Sequence, residues 1–153
     1  MSECFHEDTF TTIQEIQCSS YIIPVISHET AQPTQLWRYN LPKGTRVMSN
    51  CVTIMTDKKH WKHPDTFNPE NFLDEKGQFC KNDFFLPFSL GPRVCLGETL
   101  ARTELFIFFT SLLQRLKFSW PPGAPRPNMD GILGIVRSPF PFNTICLSRE
   151  TTH

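Results

Sequence analysis

The stretch Phe88-Ser89-Leu90-Gly91-Pro92-Arg93-Val94-Cys95-Leu96-Gly97 carries the sharpest chemical signal in the sequence. One cysteine stands between two glycines, two residues after an arginine, and an apolar helical run follows at once. This arrangement predicts a thiol held by a tight loop at the open end of a helix over 97–116. The first turn of such a helix offers unpaired N–H groups and a partial positive charge, which favour the thiolate. Gly91 and Gly97 remove side chains where a flat ligand or a second backbone must come close. Arg93 supplies a planar cationic fork suited to a carboxylate. A soft thiolate, a close-approach surface and a carboxylate clamp together suit haem iron with a cysteine axial ligand. The plainer readings are a buried structural cysteine and a surface arginine ion pair.

Several other chemistries are disfavoured. Lys plus Arg and Asp plus Glu number 15 each in 153 residues, so no basic footprint points to a nucleic-acid partner. The cysteines at 4, 18, 51, 80, 95 and 146 show no C-x-x-C spacing, which argues against a zinc ribbon. No histidine lies near Cys95 in sequence and no resolving cysteine follows, so a cysteine hydrolase or redox site is a poor reading. The polar, acidic start Met1 to Asp8 resembles neither a secretory signal nor a mitochondrial presequence. Leu105 to Phe109 is too short an apolar run to span a bilayer. Composition alone therefore predicts a reduced, intracellular chain without a membrane anchor.

Around the loop, the elements follow from periodicity and punctuation. Phe10, Ile13 and Ile16 predict a short helix over 9–18. Tyr21 to Ile26 reads as extended around Pro24, and a hairpin is expected over 36–55 about the turn Pro42-Lys43-Gly44. A meander of turns fills 57–77. The helix after Cys95 is apolar on most sides, which predicts burial within a larger body. A terminal hairpin is expected over 132–147, and no boundary divides the chain. The fold class is mainly α with small β hairpins (α+β), in one domain over 1–153 that is incomplete on its own.

The loop matches F-x-x-G-x-R-x-C-x-G at all five specified positions: Phe88, Gly91, Arg93, Cys95 and Gly97. It resembles the cysteine-ligand loop of the cytochromes P-450, the haem-thiolate monooxygenases. Glu98 to Phe106 is similar to the following helix in the vertebrate microsomal, drug- and lipid-oxidising branch (family 2-like). The resemblance runs from about Thr9 to Arg149 and corresponds to the C-terminal third of that fold. It implies heme b with Cys95 thiolate as iron ligand and insertion of one oxygen atom into a small apolar organic substrate. Electrons would come from NADPH through NADPH–cytochrome P-450 reductase, with cytochrome b5 as a further partner, at the cytoplasmic face of the endoplasmic reticulum membrane. Arg93 and His28 would meet the two propionates, and Phe88 would pack beside the thiolate. Leu96, Gly97 and Ala101 would line the proximal haem face. Val25, Ile26, Leu133, Ile135 and Val136 would edge the substrate pocket.

One departure stands out. Glu15 occupies the first place of the family's E-x-x-R, but Cys18 replaces the arginine, and Asn71 stands at the basic position of the meander. A buried carboxylate stripped of its cation costs roughly 3–5 kcal/mol or takes up a proton. The oxygen-activating helix of the family lies outside the matched part. The alternative expectation is accordingly a catalytically incompetent truncated isoform or gene remnant, at most an interaction module.

Overall fold

Nothing between Ser2 and Ser20 breaks a helix, since neither glycine nor proline occurs there, and α1 spans Ser2–Ser20. It extends beyond the expected 9–18 at both ends because helix hydrogen bonding needs no apolar face. The computed structural model describes residues 2–20, 23, 25–132, 134 and 136–149, with the side chains of residues 2–7 outside the description. The extended segment expected around Tyr21, Ile22 and Pro24 falls largely outside it. Toward its C-terminal half α1 buries Thr11, Ile13, Gln14, Glu15, Gln17 and Cys18.

The strands pair differently from the expected hairpin over 36–55. β1 (Val25–Glu29) pairs antiparallel with β4 (Arg46–Asn50), from Val25 opposite Asn50 to Glu29 opposite Arg46. β2 (Thr34–Leu36) and β3 (Tyr39–Leu41) form a separate small ladder between them. Gly44, at φ 81°, donates its N–H to the Thr30 carbonyl at 2.9 Å, and Thr30 donates to Thr45 at 3.0 Å. The turn therefore joins the ends of β1 and β4, which are distant in sequence. The strand expected as far as Met55 stops at Asn50, whose side chain accepts the Thr53 N–H at 3.2 Å. That cap starts α2 (Cys51–Met55).

The core gathers Cys18, Cys51, Met55, Trp61 and Phe72, with Ile26 and Phe85 packed against it. Phe72 meets Trp61 and Phe85 edge to face, at ring separations of 5.5 and 5.0 Å. The Trp61 indole N–H donates to the Ile54 carbonyl at 3.1 Å, so its polar edge is satisfied. Phe85 thus carries the chain from the core toward Cys95.

Beyond the loop, α3 (Glu98–Arg115) passes directly into β5 (Leu116–Ser119). None of its residues is buried, and Leu100 and Phe108 are each 63 % exposed. Among the described residues, the burial expected of this apolar helix is not supplied. β5 pairs with β6 (Ile145–Ser148), from Leu116 opposite Ser148 to Ser119 opposite Ile145. The expected terminal hairpin over 132–147 is thereby corrected. Residues 132–138 form one isolated bridge, Ile132 to Ser138. Pro139 and Pro141 lack the N–H groups that a continuing ladder needs.

Glu15 is only 2 % exposed, yet its oxygens are satisfied by neutral donors. Oε1 accepts the Asn68 N–H at 3.1 Å and the Ser19 hydroxyl at 3.0 Å, while Oε2 accepts from Asn71 Nδ2 at 3.2 Å. A backbone amide, a hydroxyl and a carboxamide stand where the resemblance led to an expectation of cations. Beside them a void of about 20 Å³, lined by Cys18, Trp61, His63 and Asn71 among others, has room for one water and none for a guanidinium. Cys18 reaches the Met55 carbonyl at 3.8 Å. Burial, reinforced by the Glu15 charge, pushes its thiol up from 9.0 to about 12.

Two outcomes follow. Glu15→Gln should lower the unfolding free energy by about 1–3 kcal/mol in urea titrations, because either amide orientation turns a donor toward a donor. Asn71 cannot relieve this by turning, since its Oδ1 already accepts the His63 N–H at 2.9 Å. The Cys18 contribution has a definite sign. The folded thiol stays protonated while the unfolded one ionises, so stability present below pH 9.0 declines as pH rises toward about 12. The slope is at most about 1.4 kcal/mol per pH unit. Urea midpoints measured from pH 8 upward should fall less steeply for Cys18→Ala, and identical slopes would remove Cys18 as the cause.

Candidate functional site

The approach to Cys95 is pinned before the loop begins. Asn82 accepts the Phe84 N–H at 2.9 Å and donates to the His60 carbonyl at 3.1 Å. Phe84 stacks on the His60 ring at 3.5 Å. The loop itself closes where the Cys95 N–H donates to the Phe88 carbonyl at 3.0 Å. Reversing the chain within so few residues takes positive φ at Ser89, 65°, and at Gly91, 78°. Gly91–Arg93 forms a single 3-10 turn.

Gly97 is the N-cap of α3 and contributes no side-chain cap. Cys95 lies just ahead of that helix start, and its carbonyl accepts the Glu98 N–H at 3.4 Å. The thiol is exposed, and a Cβ added at Gly97 would stand 3.9 Å from Cys95 Sγ. A Cβ added at Gly91 would meet nothing within 4 Å. Leu96 is fully exposed beside them, at 103 %. The result is an open, largely apolar face with one sulfur on it and no side chain on either flanking glycine. Among the described residues no group of three or more His, Cys, Asp or Glu converges to hold a metal ion. A porphyrin supplies its own four nitrogens, so iron in haem requires only the one protein donor that this face offers. The face therefore fits the group.

The remaining expected residues are more scattered. Phe88 is half-buried beneath the loop, and Ala101 is half-buried on α3 with its N–H bonded to the Gly97 carbonyl at 2.9 Å. Arg93 is exposed, with no hydrogen bond or ion pair among the described residues. His28 is half-buried in β1 opposite Val47, and among the described residues no hydrogen bond or ion pair joins it to the loop. Val25 and Ile26, neighbours on a strand, face opposite ways: Val25 is exposed and Ile26 packs on the core. Val136 is exposed, and Leu133 and Ile135 lie outside the described residues. A cavity of about 390 Å³ lies among Ile16, Phe67, Trp120, Met129, Phe140 and Phe142, and of the described pocket candidates Val25, Ile26 and Val136 do not line it.

One residue at the site has no counterpart among the sequence expectations. Arg102 donates from Nε to Glu98 Oε1 at 2.9 Å, and its guanidinium lies 5.0 Å from the Phe88 ring centre. The spacing of Glu98 and Arg102, acid before base by four residues, was the available signal.

Comparison with known proteins agrees with the loop. The sequence matches the family Cytochrome P450 over residues 9–145. Cytochrome P450 2D15 of Canis lupus familiaris is 47% identical over 135 residues, covering 88% of this chain and 27% of that protein. Cytochrome P450 2D6 of Homo sapiens is 43% identical over 142 residues, covering 92% of this chain and 29% of the relative. Cytochrome P450 2U1 of Rattus norvegicus is 44% identical over 142 residues, covering 92% and 27%. The chain spans less than a third of the length of these relatives. With the loop geometry and this match over most of its length, the chain belongs to the cytochrome P450 family and is family 2-like.

Proposed function

We propose that the chain forms the haem-ligand portion of a monooxygenase, with Cys95 as the thiolate ligand. The observation that carries this reading is the exposed Cys95 sulfur on a face left clear by Gly91 and Gly97. When bound, heme b supplies the redox and oxygen-activating chemistry, with the thiolate as electron donor to the iron. The work of this chain is to hold and orient. The Phe88 carbonyl fixes the Cys95 backbone, while Leu96 and Ala101 would lie against the proximal face of a bound haem and Arg93 would offer its fork to a propionate. His28 is proposed for the second propionate. A reductase that takes electrons from NADPH and cytochrome b5 would dock on the same side, and the substrate would be a small apolar organic molecule. The proposed location is the cytoplasmic face of the endoplasmic reticulum. No described helix is long and apolar enough to cross a membrane.

A second reading, a non-catalytic interaction module, is favoured by one observation: the apolar α3 has no buried residue. Two measurements separate these readings. After haem loading, the reduced carbon-monoxide complex should show the red-shifted Soret band of thiolate ligation. Cys95→Ser should abolish that band, whereas Cys51→Ser and Cys80→Ser should keep it; survival in the Cys95 variant would end the assignment. Supplied with haem, reductase and NADPH, the 153-residue chain should give no more oxidised product than Cys95→Ala. Oxygen cleavage also needs distal proton delivery and a closed pocket. Turnover well above the control would instead show that these residues suffice.

A further inference from the structure

We propose that Arg102 is the positioning residue of the Cys95 loop, tying both ends of the loop to α1 through one guanidinium. At the C-terminal end it holds Glu98, the first residue of α3, at 2.9 Å. At the N-terminal end it lies over the Phe88 ring at 5.0 Å and within 5.8 Å of Phe85. From α1, Gln14 Oε1 and Gln17 Oε1 accept from Nη1 at 3.3 and 3.4 Å. Gln14 and Gln17 are each only 6 % exposed, so Arg102 is the donor to two buried carbonyl oxygens. Among the described residues Gln17 Nε2 is buried without a partner, which leaves that amide oriented by its oxygen.

The link to the sulfur is short. Phe88, the ring beneath the guanidinium, gives its carbonyl to the Cys95 N–H at 3.0 Å. Displacing Phe88 therefore displaces the backbone that aims Cys95. A lysine cannot substitute, because a point charge on a flexible stem cannot face two rings and reach three acceptors together. The half-buried Glu98–Arg102 pair, an acid and a base four residues apart on one helix, would contribute little alone. Its value here lies in being one contact of five on a single planar group.

The test is amide hydrogen exchange on the full chain, read by mass spectrometry for residues 88–97 and, as reference, for the β1–β4 ladder. Arg102→Met should speed exchange in 88–97 about tenfold and leave the ladder unchanged, as expected for local opening. Phe88→Leu, which removes the ring but keeps the carbonyl, should act in the same direction, and Phe88→Tyr should retain protection. Unchanged exchange in 88–97, or equal acceleration in the ladder, would overturn the proposal. Should Arg102→Met fail to fold, the Phe88 pair decides by the same criteria. The bearing on ligand geometry rests on the haem-thiolate reading and has its own readout. At equal haem content, Arg102→Met should lose part of the red-shifted carbon-monoxide band, and an unchanged band would refute that part. Absence of haem binding by the unmodified chain would refute the haem-thiolate reading and leave the exchange result to judge Arg102.

Discussion

A carboxylate in the interior must be met by donors, and in this chain much of the architecture is arranged around meeting Glu15. Its three hydrogen bonds come from Ser19 on its own helix and from Asn68 and Asn71 in the meander. The same Asn71 accepts from His63, so one carboxamide joins α1 to two parts of the meander. Fixing the meander places Phe72, and Phe72 seats Phe85 at the approach to Cys95. Cys18 and Asn71, where the sequence resemblance led to an expectation of basic residues, thus lie at the point where the fold is tied together. Neutral donors do this with one charge to desolvate rather than two, and without a cation's long-range attraction.

The loop and its helix make opposite demands. The loop takes its local shape from backbone hydrogen bonds, two residues at positive φ and a ring beneath the reversal, and Arg102 fastens that shape to α1. α3 is not self-sufficient, because Leu100, Phe106, Phe108, Leu112 and Leu113 lie open on it. Its attachment to this chain runs through its two ends. Arg102 links the first turns to α1, while the Arg149 N–H and Nε donate to the Arg115 and Leu116 carbonyls at 2.7 and 3.1 Å.

Legibility in the sequence followed range of interaction. The loop spacing and the extent of α3 depend on residues within a few positions of one another, and so does the turn at Gly91; the Asn50 cap of α2 is equally local but was hidden under a β-branched run that reads as strand. Strand partnership depends on distant residues. Arg46–Asn50 reads as a strand whether its partner is Tyr39–Leu41 or Val25–Glu29, and only the turn at Thr30 and Thr45 decides. The loss of basic residues near Glu15 was visible in the sequence, but the replacement of their charge by the Asn68 amide was not, because every non-proline residue carries such a donor. Arg102 was obscure for a related reason: an arginine on a helix looks solvated until its acceptors, Gln14 and Gln17, are brought from 88 and 85 residues away.

The passage from α3 to β5 has no connecting residue, since the helix ends at Arg115 and the strand starts at Leu116. Removing or adding one residue in α3 would turn everything beyond it by about 100° about the helix axis. The same change would exchange the two faces of β5 and carry it out of step with β6, because strand faces alternate with every residue. No loop lies between them to absorb either error. Insertions and deletions in α3 are therefore penalised twice, and this part of the chain can diversify by replacing side chains but not by changing length.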